Sequence, residues 1–126
     1  MIVPQREVAQ KEPSTRWTPL ERRCYAWLHE HTWCCLTGLV PIEIAHLGAH
    51  SGTGLKSPLN TLLPLTKKLH HAEHKGRDLF WHNVRIPDYL EWADELHKIF
   101  LADDDPSRLL LEMYELADQD YLRTLK

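Results

Sequence analysis

Two histidines, His70 and His74, lie four residues apart in the segment KKLHHAEHK. The segment predicts a helix that can be capped by Thr66 and that ends at Gly76. On such a helix, side chains four positions apart project from the same face. Two imidazoles at this spacing can bind one divalent cation, although a pair of solvated surface histidines is the alternative. His71 projects in a neighbouring direction and need not join them.

Two further polar residues precede this helix, next to predicted strands. His46 ends an extended segment that begins at Val40, and Asn60 comes directly before the short apolar run 61–65. The intervening loop is rich in small residues and contains His50. The predicted order is therefore strand, loop, strand and helix, with a histidine, an asparagine and the histidine pair along it.

This order resembles the HNH, or ββα-metal, nuclease motif. The fuller set of segments EIAH, GLKSP, LPL, HHAEH and FW resembles phage proteins of the Ref-like recombination-enhancement group. The resemblance covers roughly residues 33–96, and its distinctive part is Pro64-Leu65 followed by the spaced histidines and Phe80-Trp81. It implies an α+β fold built on a ββα-metal module.

The resemblance also implies roles for the residues. His46 would be the general base that takes a proton from water, which suits histidine because its ordinary pKa lies near neutrality. Asn60 would brace the loop and orient His46 through its amide. His70 and His74 would hold Mg²⁺, Mn²⁺ or Zn²⁺ against the scissile phosphate. The alternatives are a hydrogen-bonded core residue at position 46 and a turn cap at position 60.

Basic residues surround these positions, and phosphates are contacted by local patches of positive charge. The candidates for nucleic-acid contacts are Lys56, Lys67, Lys68, Lys75 and Arg77. An ordinary solvated helix face is the alternative for the two adjacent lysines. Additional candidates for contact with the metal or the substrate are Glu43, His50 and His71.

The sequence departs from the family pattern at two places. Many HNH relatives hold a structural zinc with four cysteines, and the four corresponding positions are Cys34, Thr37, Thr66 and Leu69. No structural four-cysteine zinc is therefore expected. Many HNH sites also carry a metal-binding Asp or His directly before the general base, where this chain has Ala45.

The flanking segments are predicted to be helical. Thr18 and Glu21 form a capping box around Pro19, which predicts the start of an N-terminal helix. Residues 87–126 are predicted to form a helical hairpin that covers the metal module, with a dimer interface as the alternative. Residues 1–16 are predicted to be a flexible arm, and residues 17–126 a single domain with its ββα core at about 38–76.

The charge distribution favours a nucleic-acid contact in the first two thirds of the chain. Residues 1–86 hold eleven Lys and Arg against seven Asp and Glu, whereas residues 87–126 hold four against eleven. Three cysteines, two of them adjacent, make a poor disulfide framework, and no secretory signal or membrane span is expected. The cytoplasm of a bacterial host is the predicted compartment.

Two functions follow from these observations. The first is a metal-dependent endonuclease or nickase that hydrolyses DNA, encoded by a phage or mobile element. The second is a catalytically degenerate HNH-fold protein that binds DNA or a protein as an inhibitory or accessory factor. The acidic C-terminal helices would then offer a surface for a second copy or another protein, and no membrane partner is expected.

Overall fold

The computed structural model describes residues 17–48 and 58–125. These residues form an α+β fold, as predicted, with an antiparallel two-stranded sheet and helices around it. The helices are α1 (Pro19–His31), α2 (Lys67–Lys75), α3 (Arg77–Val84), α4 (Tyr89–Leu101), α5 (Ser107–Leu116) and α6 (Gln119–Arg123). The strands are β1 (Glu43–His46) and β2 (Leu62–Leu65), and a 3-10 turn (Leu59–Thr61) precedes β2.

The start of α1 is the capping box that the sequence predicts. The Thr18 hydroxyl accepts a hydrogen bond from the Glu21 backbone N–H at 3.1 Å, and the Thr18 N–H donates to the Glu21 carboxylate at 2.7 Å. These two bonds satisfy N–H groups that have no partner within the helix. The helix buries Cys24 and Leu28 against the core.

The two strands pair with Glu43 opposite Leu65 and His46 opposite Leu62. β1 is shorter than the predicted extended segment, which began at Val40. All four residues of β2 are buried, because helices cover both faces of this small sheet. β2 also pairs beyond the sheet, since the Pro64 carbonyl accepts from a backbone N–H of the turn at residues 34–38.

The strand, strand, helix order of the prediction is present, and α2 packs on both strands. The chain then continues differently from the prediction. Gly76 ends α2 and begins α3, a helix that the sequence analysis did not assign, which buries Phe80, Trp81 and Val84. The segment that connects β1 to β2 lies mostly outside the described residues.

The C-terminal region holds three helices rather than the predicted two-helix hairpin. Ala117 is extended (φ −65°, ψ 141°) and ends α5, and the Asp118 carboxylate then caps α6 by accepting from the Tyr121 N–H at 3.1 Å. α6 packs on α3, whereas α4 packs mainly on the 3-10 turn and β2. The C-terminal helices therefore cover different parts of the domain.

The buried apolar residues form one cluster that joins α1, the sheet and the later helices. Its largest fully buried members are Trp81, Leu36, Leu47, Leu62, Leu63, Leu65, Ile86, Leu96, Leu110 and Met113. Within the described ranges, no helix is long and apolar enough to span a lipid bilayer.

Candidate functional site

An open groove of about 830 Å³ runs along the exposed face of α2. It is lined by Glu43, Lys67, Lys68, His70, His71 and His74. The fold therefore brings together the predicted metal pair, two of the predicted phosphate-contacting lysines and two of the additional candidates. Glu43 comes from β1, whereas the other five residues come from α2.

Glu43 and His70 form the central contact of this groove. The His70 Nδ1 lies 2.8 Å from the Glu43 Oε1, and the side chains are 27% and 44% exposed. A carboxylate accepts hydrogen bonds, so Nδ1 carries the proton and donates it to Glu43. This leaves the Nε2 lone pair of His70 as a ligand position, as in sites where a carboxylate orients a metal-binding histidine.

His74 lies one turn further along the same face. The ring centroids of His70 and His74 are 6.3 Å apart and their planes are at 84°. Two imidazoles bound to one cation at tetrahedral or cis angles, with metal–nitrogen bonds of about 2.1 Å, have centroids about 4.6–5.3 Å apart. The observed separation is larger, so the two rings must rotate towards each other before they can share a cation whose other ligands are water or phosphate. Across the described ranges, no group of three or more His, Cys, Asp or Glu side chains is arranged to hold a metal.

The strand β1 directs its side chains to two faces. Glu43 and Ala45 are two positions apart and face α2, whereas His46 projects to the opposite face. His70 contacts Glu43 at the start of β1, and Arg77 contacts the His46 carbonyl at its end. Ala45, the position where many HNH sites carry a ligand, is fully buried.

His46 lies against α1. Its Nε2 is 2.6 Å from the Tyr25 hydroxyl, and the two ring centroids are 5.9 Å apart. His46 is exposed but is not among the described residues that line the groove. The predicted base and the predicted metal pair thus belong to opposite faces of one strand. Strand alternation along residues 43–46 is the sequence signal that could have shown this separation.

Asn60 lies in the 3-10 turn, and its amide donates to the Asp94 carboxylate on α4 at 3.1 Å. This hydrogen bond is the main reason that the pKa of Asp94 is lowered, and the neighbouring Lys98 adds to the effect. The predicted role of Asn60 was to orient His46 through the same amide. In the structure, the amide instead links the turn to α4.

Arg77 belongs to a buried network rather than to the groove. The Glu73 side chain is fully buried, and its Oε2 accepts from Arg77 Nε at 2.5 Å and from Trp81 Nε1 at 3.1 Å. The Arg77 guanidinium also donates to the His46 carbonyl at 3.0 Å. The sequence analysis did not select Glu73, although the i, i+4 spacing of Glu73 and Arg77 is a signal for this pair.

The remaining predicted residues have simpler positions. Lys75 is exposed at the end of α2. Lys56 and His50 lie outside the described residues. Cys34 and Cys35 are fully buried free thiols, and burial raises the pKa of Cys35 well above its usual range.

No protein-family model matches this chain, and neither the curated proteins nor the solved structures include a significant match.

Proposed function

We propose that this chain is a metal-dependent endonuclease or nickase of the HNH type that hydrolyses DNA phosphodiesters. The observation that carries the proposal is the Glu43–His70 hydrogen bond, at 2.8 Å, within a groove that also holds His74 and two lysines. A histidine oriented by a carboxylate, a second histidine one turn away and nearby positive charge are groups that can hold a cation beside a phosphodiester.

Each group of the groove has a role in this proposal. His70 and His74 hold the divalent cation, Mg²⁺, Mn²⁺ or Zn²⁺, which when bound offsets the charge that develops on the phosphate. Glu43 fixes the ring of His70. Lys67 and Lys68, both exposed, contact phosphates of the DNA backbone. These contacts carry no sequence information, so the cleavage is weakly sequence-dependent unless other residues contact the bases.

His46 is the general base of the proposed reaction. It lies at the end of β1, on the face opposite to Glu43. Arg77 holds the His46 carbonyl from the α3 side. This role requires the bound phosphodiester to reach both the end of β1 and the groove on its other face.

A second candidate function is a catalytically degenerate protein of the same fold that binds DNA or a protein without cutting DNA. Two observations favour it. Ala45 is fully buried and offers no ligand at a position where many HNH sites have one. The His46 ring is engaged by Tyr25 on the face away from the groove.

Cleavage of supercoiled plasmid separates the two functions. The parent protein, His46→Ala and His70→Ala are each incubated with Mg²⁺, Mn²⁺ or Zn²⁺, with His82→Ala, an exposed histidine outside the groove, as the matched control. The proposal expects nicked or linear DNA from the parent and the control only. Binding of DNA by all four proteins without cutting under any cation would favour the second function.

A further inference from the structure

The hydrogen bond between Tyr25 and His46 links α1 to the end of β1. The Tyr25 hydroxyl lies 2.6 Å from the His46 Nε2. The ring of Tyr25 is itself held by Trp17, whose centroid is 4.4 Å away at an interplanar angle of 42°. The tyrosine is therefore fixed by aromatic packing, and its hydroxyl is directed at one nitrogen of the predicted base.

The direction of this hydrogen bond follows from the acidities of the two groups. Burial raises the pKa of Tyr25 to about 12, and the neighbouring Cys24 and Glu21 add to this shift. Tyr25 therefore keeps its proton at neutral pH. A neutral phenol is a stronger hydrogen-bond donor than a neutral imidazole, and the imidazole nitrogen is the better acceptor. The hydroxyl thus donates to Nε2, and the proton of the neutral ring resides on Nδ1.

We infer that Tyr25 and His46 act as one proton-accepting unit, in which the Tyr25 hydroxyl meets the attacking water and His46 receives the proton at Nε2. This inference rests on the proposed function. It assigns to Tyr25 a catalytic role, because the only nitrogen of the neutral ring that can accept a proton is already directed at the hydroxyl.

The proton transfers balance within this unit. As the water oxygen forms its bond to phosphorus, one O–H bond of the water breaks and the proton passes to the Tyr25 oxygen. At the same time the original O–H bond of Tyr25 breaks, and that proton forms the new Nε2–H bond of His46. Tyr25 stays neutral throughout, which agrees with its raised pKa, and the imidazole becomes imidazolium.

The backbone of His46 is held independently of its ring. Arg77 donates to the His46 carbonyl at 3.0 Å and is itself paired with the buried Glu73. The strand end that carries the imidazole is therefore fixed from the α3 side, and the ring is fixed from the α1 side by Tyr25. A change at Tyr25 alters the proton path without removing the anchor of the strand.

Two measurements on the full chain test this inference. The first is the tautomer of His46, from the ¹⁵N chemical shifts of labelled histidine in the parent, Tyr25→Phe and Tyr114→Phe. The second is the rate of plasmid cleavage by the same proteins, by His46→Ala and by the double variant. Tyr25→Phe keeps the ring that packs against Trp17, and Tyr114 is a half-exposed tyrosine on α5 that serves as the control.

The inference expects Nδ1-protonated His46 in the parent and in the Tyr114 variant, and a shift towards Nε2 protonation in Tyr25→Phe. It also expects Tyr25→Phe to lower the cleavage rate about 10²–10⁴-fold, as loss of acid–base catalysis does. The double variant loses no more than His46→Ala, because residues that act as a unit are not additive.

A parent protein with Nε2-protonated His46 would overturn the inference. So would a Tyr25→Phe protein that cuts at the parental rate while His46→Ala does not cut. If the parent cuts no DNA with any cation, the proposed function fails, and the relay fails with it. If the parent cuts DNA but Tyr25→Phe cuts equally fast, only the relay fails.

Discussion

Two carboxylates lie at α2, one on the neighbouring strand and one on the helix itself, and their surroundings differ sharply. Glu43 contacts His70 on the outer face of α2, where the glutamate is 44% exposed. Glu73 projects from the inner face of α2, is 0% exposed, and contacts Arg77 and Trp81. We call these the groove pair and the buried network. In each case a glutamate pairs with a basic side chain, but one pair lies in a solvent-facing groove and the other in the interior of the domain.

The buried network and the groove pair differ in whether solvent reaches their polar groups. In the buried network every polar partner comes from the chain itself, and it joins α2, α3 and the end of β1. One Glu73 oxygen, Oε1, is buried with no hydrogen-bond partner in the described part of the chain. A buried carboxylate is not solvated by water, so its charge must be balanced by groups of the protein. We therefore assign a structural role to this network. The groove pair still faces water, so a cation or phosphate can reach it.

The largest expected effect is on the buried network. Arg77→Ala leaves the Glu73 carboxylate buried without its charged partner, and we expect the free energy of unfolding to fall by about 3–5 kcal/mol. Urea denaturation measures this change, with Lys75→Ala, at an exposed position on the same segment, as the control. Equal unfolding midpoints for the two variants would contradict the assignment of Arg77 to a structural network.

For the groove pair we expect a small change in stability and a large change in metal affinity. Glu43→Gln removes the carboxylate that orients His70 but breaks only a half-exposed contact, so stability should change by less than about 1 kcal/mol. We expect the affinity for Zn²⁺ or Mn²⁺ to fall about 10–100-fold, as happens when the partner of a metal-binding histidine is lost. Calorimetric titration tests this, with Glu30→Gln on α1 as the control. An unchanged affinity would show that Glu43 does not orient a ligand.

The lysines of the groove give a smaller effect, which salt reveals. Removal of both Lys67 and Lys68 should lower the slope of log affinity for DNA against log salt concentration by about 2, since each phosphate contact contributes roughly 0.9. Fluorescence anisotropy at several salt concentrations measures the slope. Lys98→Ala, which removes a lysine from the acidic C-terminal region, should leave it unchanged. Equal slopes for both variants would exclude this face as the DNA contact.

The smallest expected effect concerns a third carboxylate, that of Asp94, which is 41% exposed. The pKa of Asp94 is lowered mainly by the hydrogen bond from Asn60. We expect Asn60→Ala to bring the pKa of Asp94 back towards its ordinary value, because the donor to the ionised form is removed. Carboxyl ¹³C shifts followed through a pH titration measure this. If the pKa of Asp94 stays low, Lys98 rather than Asn60 would be its main cause.

Much of the local structure could be predicted from the sequence. Thr18 and Glu21 indicate the start of α1, and the spacing of His70 and His74 indicates a shared helix face, because capping and helical periodicity are local properties. The α+β class and the helical nature of the C-terminal region were also predicted. The break at Ala117 and Asp118, which divides the last helix, was not.

The contacts between distant segments could not be predicted in the same way. Glu43 and Asn60 were both candidates, but their partners, His70 and Asp94, lie 27 and 34 residues further along the chain. Arg77 follows a lysine and a glycine, and the sequence predicts it as a nucleic-acid contact. Its pairing with the buried Glu73 explains why the Arg77 side chain is largely buried instead. Tertiary packing, not local pattern, decides these cases.

A titration with Mn²⁺ followed by NMR shows whether the groove of α2 holds a cation. The paramagnetic ion broadens the signals of nearby side chains, so a titration of labelled histidine identifies the residues closest to the cation. We expect the imidazole signals of His70 and His74 to broaden first, and those of His29 and His82 on other helices to persist. Broadening that is equal at all four rings, or that spares His70 and His74, would contradict a cation site in the groove of α2.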